Sequence, residues 1–209
     1  MSAAIRTTRL GTALAAVSLT VLGVSGTVAV PASAAPQERP AAAAAASVDY
    51  ATWQADVKAV IDQARPYVEQ RTAGAGGARQ AIVLDIDNTS LETHFHLFPP
   101  TPAVAPVLDL ARYANDRGVA IFFVTARPDL LEVVTKSNLT SVGYPVAGLY
   151  QRSLLDLFGS AAEFKTAKRA EIEAKGYAII ANIGNNTTDL VGGHAERTFK
   201  LPDYDGELS

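Results

Sequence analysis

The stretch Ala81-Ile-Val-Leu-Asp-Ile-Asp-Asn-Thr89 sets the reading of the whole chain: four apolar residues run straight into two carboxylates. A short apolar run of this kind suits a strand buried on both faces, as in a parallel sheet covered by helices. Three similar runs follow, at Val119 to Val124, Val146 to Leu149 and Ala178 to Ile183. Between them, Val104 to Arg117, Pro128 to Ser141 and Ala161 to Lys175 are helix-like, with Pro128 placed for the first helical position. Gly118 and Gly176 fall where helix C-caps belong, and Ser160 with Glu163 forms a capping-box pattern. Strand–helix alternation predicts an α/β fold, a Rossmann-like three-layer sandwich with a mostly parallel central sheet and right-handed crossovers. Arg197 to Leu201 offers an additional edge strand.

Upstream, Tyr50, Trp53, Val57, Val60, Ile61, Ala64 and Val68 recur at helical spacing over Val48 to Arg71. Pro66 is expected to bend or interrupt that helix, and Gly74, Gly76 and Gly77 to mark the loop after it. Further upstream the character changes. Arg6 and Arg9 form a basic head, Gly11 to Val30 is uncharged and apolar, and Ala32-Ser33-Ala34 supplies small residues at signal-peptidase spacing. The apolar run is also long enough to cross a bilayer, but its Gly, Ser and Thr content and the Ala-Ser-Ala favour cleavage after Ala34. The expected organisation is a signal peptide at 1–34, an Ala/Pro-rich tether at 35–47 and one domain at 48–209. Export then follows, with no stable membrane anchor after cleavage.

The 209 residues carry 18 Lys and Arg against 21 Asp and Glu. Without Arg6 and Arg9 the balance is 16 to 21, a net charge of −5. A mildly acidic chain with no basic block argues against nucleic acid or an anionic membrane as the main partner. There is no Cys, so stability must come from core packing rather than disulfides.

In doubly wound sheets ligands bind outside the carboxyl ends of the strands. Polar residues gather at those ends here: Asp85 and Asp87, then Thr125 and Arg127, then Lys165 near the start of the next helix, then Asn185 and Asp189. Two converging carboxylates repel, which favours a bound cation or one retained proton. Both remedies suit phosphoryl transfer, with Asp85 as nucleophile, Asp87 as acid/base and Mg²⁺ lessening the repulsion between anions. Taken alone, Asp85 to Thr89 also reads as a polar strand-to-loop turn, and Thr125 as a strand-end hydroxyl satisfying backbone groups. Lys165 sits one turn into its helix, where the macrodipole disfavours a cation unless an anion faces it. Asp189 and the neutral oxygen of Asn185 suit the all-oxygen shell of Mg²⁺. Lys168 and Arg169 read as solvated charges, Arg169 with reach to brace the site. His94 and His96 read as an exposed loop pair, and Asp203 and Asp205 as part of a solvated tail.

Together the four segments resemble the haloacid dehalogenase superfamily, and within it the exported class B and plant acid phosphatase/storage-protein branch. The resemblance rests on Asp85-Ile-Asp-Asn-Thr89, Phe123-Val-Thr-Ala-Arg127, Phe164-Lys-Thr-Ala-Lys-Arg169 and Asn182-Ile-Gly-Asn-Asn-Thr-Thr-Asp-Leu190, and covers about residues 48 to 205. It implies an aspartyl-phosphate mechanism with Asp85 as nucleophile and Mg²⁺ ligand. Asp87 would be acid/base, lending its backbone carbonyl to the metal; Thr125 and Lys165 would hold the phosphoryl group and Asp189 support the metal. Asn185 stands where the family usually has Asp, which removes one charge near the metal, and Ala126 replaces a usual Gly. The segment from Thr89 to Val104 is too short for a large cap, so small phosphomonoesters are the expected substrates. A catalytically weak, phosphate-binding or storage-type protein on the same fold is the alternative. A receiver-like signalling domain fits less well, given the export signal and the second Asp two residues after the first.

Overall fold

The computed structural model describes residues 48–74 and 77–208; the expected signal peptide with its cleavage site, the expected tether, Gly76 and Ser209 lie outside the described residues. Chain order is α1 (Tyr50–Thr72), β1 (Arg79–Leu84), α2 (Ala105–Asn115), β2 (Ala120–Pro128), α3 (Glu132–Ser141), β3 (Gly148–Arg152), α4 (Ala161–Ala174), β4 (Tyr177–Gly184), α5 (Thr187–Leu190) and β5 (Thr198–Lys200). The five strands pair in parallel in the order β3-β2-β1-β4-β5. The expected edge strand is therefore present as β5.

Parity along β1 and β2 divides the core into two layers. Ile82, Leu84, Ile121 and Phe123 pack with Trp53, Val57 and Ile61 of α1 and with Val107, Leu110 and Ala111 of α2. Ala81, Val83, Phe122 and Val124 face the other way, onto Phe164 and Ile172 of α4. Burying both faces is what the uninterrupted apolar runs encode. Each fully buried Leu, Ile or Phe contributes roughly 1.5–3 kcal/mol relative to exposure, so a core stapled by no disulfide is affordable on packing alone.

Local signals account for the helix ends. Asp49 caps α1 through Thr52 N–H at 2.8 Å, and Ser160 caps α4 through Glu163 N–H. Gly118 and Gly176 adopt φ of 81° and 87° just after α2 and α4. Two expectations need correction. Pro66 does not interrupt α1: it lies on the exposed side of the helix, as does Asp62, whose carbonyl loses its N–H partner there. Nor does Pro128 begin a helix; β2 continues to it, and a 3-10 turn (Asp129–Leu131) precedes α3. Among the described residues no helix is long and apolar enough to cross a membrane. No cap domain separates β1 from α2, only turns and isolated bridges.

Candidate active site

Asp85 directly follows β1, held by its N–H to the Ile183 carbonyl of β4 at 3.0 Å and by Ser90 Oγ donating to its own carbonyl at 2.6 Å. Ile86, fully buried, roots the loop, since the N–H groups of Thr89, Ser90 and Leu91 all converge on its carbonyl. That wrapping turns Asp85 and Asp87 toward one cavity of about 370 Å³ at the carboxyl edge. Thr125, Lys165, Asn185 and Asp189 line the same cavity, so the six residues given a catalytic, phosphate-binding or metal role from the sequence are brought together.

At its base is a buried ionic cluster. Lys165 Nζ donates to Asp85 Oδ1 at 2.7 Å and also to Asp189 Oδ1. Burial opposes the ammonium charge, but the attraction of Asp85 and Asp189 outweighs it and holds the Lys165 pKa above its ordinary value. For Asp85 burial dominates and pushes the pKa up to about 7; Lys165 pulls it down, while Asp189 and Asp87 add repulsion. The cluster thus shares one cation between two buried carboxylates. Asp189 Oδ2 is taken by the Asn186 N–H at 2.8 Å, the second leg of the capping box that starts α5. A side chain at Gly184 would place its Cβ 2.4 Å from Asp189, so only glycine lets the carboxylate lie against the end of β4.

Thr125 is buried, and its hydroxyl accepts from Arg127 N–H at 3.2 Å, which leaves its own proton free for an anion in the cavity. Asn185 is equally buried; its Oδ1 accepts from Thr89 Oγ1 at 3.2 Å and its Nδ2 donates to the Leu208 carbonyl at 2.8 Å.

Several contacts at the site go beyond what the sequence indicated. Arg127 forks onto Asp87, Nη2 to Oδ1 at 2.8 Å and Nε to Oδ2 at 3.0 Å, so the second carboxylate is parked on a guanidinium. Arg169 is not solvated. It is buried, and donates to the carbonyls of Asp189 at 2.7 Å and Gly193 at 2.9 Å, and to that of Val191. The signal for it was its position one turn after Lys165 on the same helix face. Both histidines are exposed in the loop, as expected; His94 also lines the cavity, and His96 lies 3.4 Å from the buried carboxylate of Glu92. Asp205 is exposed as expected and Asp203 is half-buried, but the segment is no free tail: Leu208 enters the core, and Glu207 and Leu208 wall the cavity.

The Arg169 clamp gives a stability prediction. Arg169→Leu strips donors from three loop carbonyls, and unfolding in urea is expected to show a loss of about 3 kcal/mol. A loss below about 1 kcal/mol, the size of an ordinary surface substitution, would mean that solvent replaces the guanidinium without cost.

A parallel sheet with this constellation at its carboxyl edge defines an α/β chain of haloacid dehalogenase type. The chain belongs to the HAD superfamily, subfamily IIIB (acid phosphatase), which matches residues 3–96 and 100–207. Acid phosphatase 1 of Solanum lycopersicum is 25% identical over 172 residues, covering 72% of this chain and 67% of that protein. The stem 28 kDa glycoprotein of Glycine max is 34% identical over 108 residues, 48% of this chain, and the match spans only 41% of that relative's length. In fold, the class C acid phosphatase from Bacillus anthracis superposes with a TM-score of 0.61 at 18% identity, covering 75% of this chain and 80% of that one.

Proposed function

We propose that the chain hydrolyses small phosphate monoesters through an aspartyl phosphate on Asp85. The observation that carries this reading is the buried Asp85–Lys165–Asp189 cluster at the floor of an open cavity. Lys165 holds Asp85 Oδ1, so Oδ2 is the oxygen available for attack. Bound phosphate oxygens take the Thr125 hydroxyl and the Lys165 ammonium, which lowers the charge that develops during transfer. As the Oδ2–P bond forms and the ester P–O bond breaks, the leaving alkoxide receives a proton from Asp87. Asp87 then takes a proton from water, which attacks the aspartyl phosphate and releases inorganic phosphate. To reach the leaving group Asp87 must leave the Arg127 fork, which is partly open to solvent, and take from that solvent the proton it donates.

Mg²⁺ fits the donors. Among the described residues no group of three or more His, Cys, Asp or Glu side chains converges on a metal position. The residues that would hold Mg²⁺ are Asp85 and Asp189, with the Asp87 backbone carbonyl and Asn185 Oδ1, an all-oxygen set with one negative charge uncompensated by Lys165. Bound there, the cation would screen Asp85 from the incoming phosphate. Cleavage after Ala34, export, and an acidic surface that repels nucleic acid complete the proposal.

The test is hydrolysis of an aryl phosphate by the purified chain with Mg²⁺ and then with excess chelator. Activity that chelation abolishes is expected. No activity across divalent metals and pH 4–8 would sink the enzyme reading and favour the phosphate-binding, storage-type alternative.

A further inference from the structure

We propose that Asn88 and Asn185 are positioning residues that act through the main-chain carbonyl of Leu208, so that residues 203–208 latch the two catalytic loops together. The effect on turnover rests on the phosphatase reading; the latch itself does not.

One carbonyl oxygen takes both amides. Asn88 Nδ2 and Asn185 Nδ2 each donate to Leu208 O at 2.8 Å, and both side chains are buried. Asn88 follows Asp87 on the loop after β1, and Asn185 opens the loop from β4 to Asp189. Leu208 thereby ties the acid/base loop to the loop that carries the distal carboxylate. Asn88 also reaches a third wall, its Oδ1 accepting from His94 N–H at 2.7 Å. Only an amide can serve at either position. A carboxylate could still accept from its other partner, but it has no hydrogen to give Leu208 and would set charge against a carbonyl dipole.

The backbone of the latch is held, not relaxed. Tyr204 and Asp205 take φ of 48° and 55°, followed by Gly206 at 92°. Two successive non-glycine residues in the left-handed region cost about 1–2 kcal/mol each, and such a turn persists only where its surroundings over-determine it. Here Leu208 is 1% exposed, Tyr204 Oη donates to Asp56 at 2.7 Å, and Leu208 N–H closes the turn on Asp203 at 3.1 Å. A turn held at this cost on the rim of the cavity fits a positioning part better than a loose chain end.

The experiment compares hydrogen exchange of residues 203–208 in the full chain with Asn185→Asp and Asn88→Gly. Asn88 itself has φ of 53°, so glycine keeps the backbone and removes only the amide. Exchange in 203–208 is expected to rise at least about tenfold in each variant, one decade in the opening equilibrium, with the strands unchanged. For Asn88→Gly, kcat on an aryl phosphate is expected to fall about 10- to 100-fold, the scale of an ångström of misplacement. Competitive inhibition by inorganic phosphate should stay within about threefold, since Thr125 and Lys165 do not touch the latch. Unchanged exchange in both variants overturns the latch. Faster exchange with kcat intact overturns the positioning role. If the unmodified chain proves inactive, the exchange result still decides the latch, and the phosphatase reading alone falls.

Discussion

Asp85→Asn is expected to lower turnover of an aryl phosphate by about 10⁴-fold or more, the scale seen when a covalent nucleophile is removed. The substitution changes little else. An amide has the same shape, Ser90 bonds the Asp85 main-chain carbonyl rather than its side chain, and Lys165 keeps Asp189 as a counter-ion. An amide oxygen carries no full charge and cannot displace an alkoxide from phosphorus at a useful rate. Acid quenching during turnover should leave labelled phosphate on the unmodified chain and none on the variant. Activity above about a tenth of the original would move the nucleophile elsewhere.

The same substitution has a pH signature in metal-free protein. The Asp85 pKa is pushed up to about 7 in the folded chain, against an ordinary value of 3.8. A raised carboxylate favours folding below the unfolded value, and that contribution is lost as pH rises through the folded one. Stability should therefore decline between about pH 4 and pH 7, and Asp85→Asn should flatten that decline. A slope identical in both proteins would mean that Asp85 is ionised throughout.

What was legible in the sequence follows from how locally each feature is encoded. Strands buried on both faces must be apolar throughout, so β1, β2 and β4 announce themselves. The loops that leave their carboxyl ends are then bound to share one edge, which is why Asp85, Thr125 and Asp189 meet although 104 positions separate the first from the last. The partners of those residues are encoded differently. Arg127 looks like a strand-end charge until the strand order sets it beside Asp87. Arg169 resembles a solvated helix residue because its acceptors are main-chain carbonyls, which carry no sequence signal at all. Leu208 is the extreme case: Asp203 and Asp205 advertise solvent, and only the left-handed turn returns the chain to the core. Carbonyl-mediated contacts depend on tertiary placement, so composition and periodicity are blind to them.

Lys165→Met should be the most disruptive single change to stability. Lys165 is the only cation within hydrogen-bond reach of both Asp85 and Asp189 among the described residues, and those carboxylates are 6% and 3% exposed. Methionine fills much of the space but leaves the buried carboxylates without their counter-ion, a loss of about 3–5 kcal/mol. Lys165 is what pulls the raised Asp85 pKa down to about 7; without it Asp85 keeps its proton to higher pH, so the deficit should widen as pH rises through that value. A deficit that does not change with pH would place the loss in packing rather than charge. Turnover should fall by about 10²–10³, as when one donor to a developing anion is removed. Millimolar Mg²⁺ should restore part of the stability but not the turnover, because Asp85 and Asp189 would hold the cation in place of the lost charge while the ammonium proposed to hold phosphate stays absent. Absence of any Mg²⁺-dependent gain in melting temperature would move the metal away from these two carboxylates.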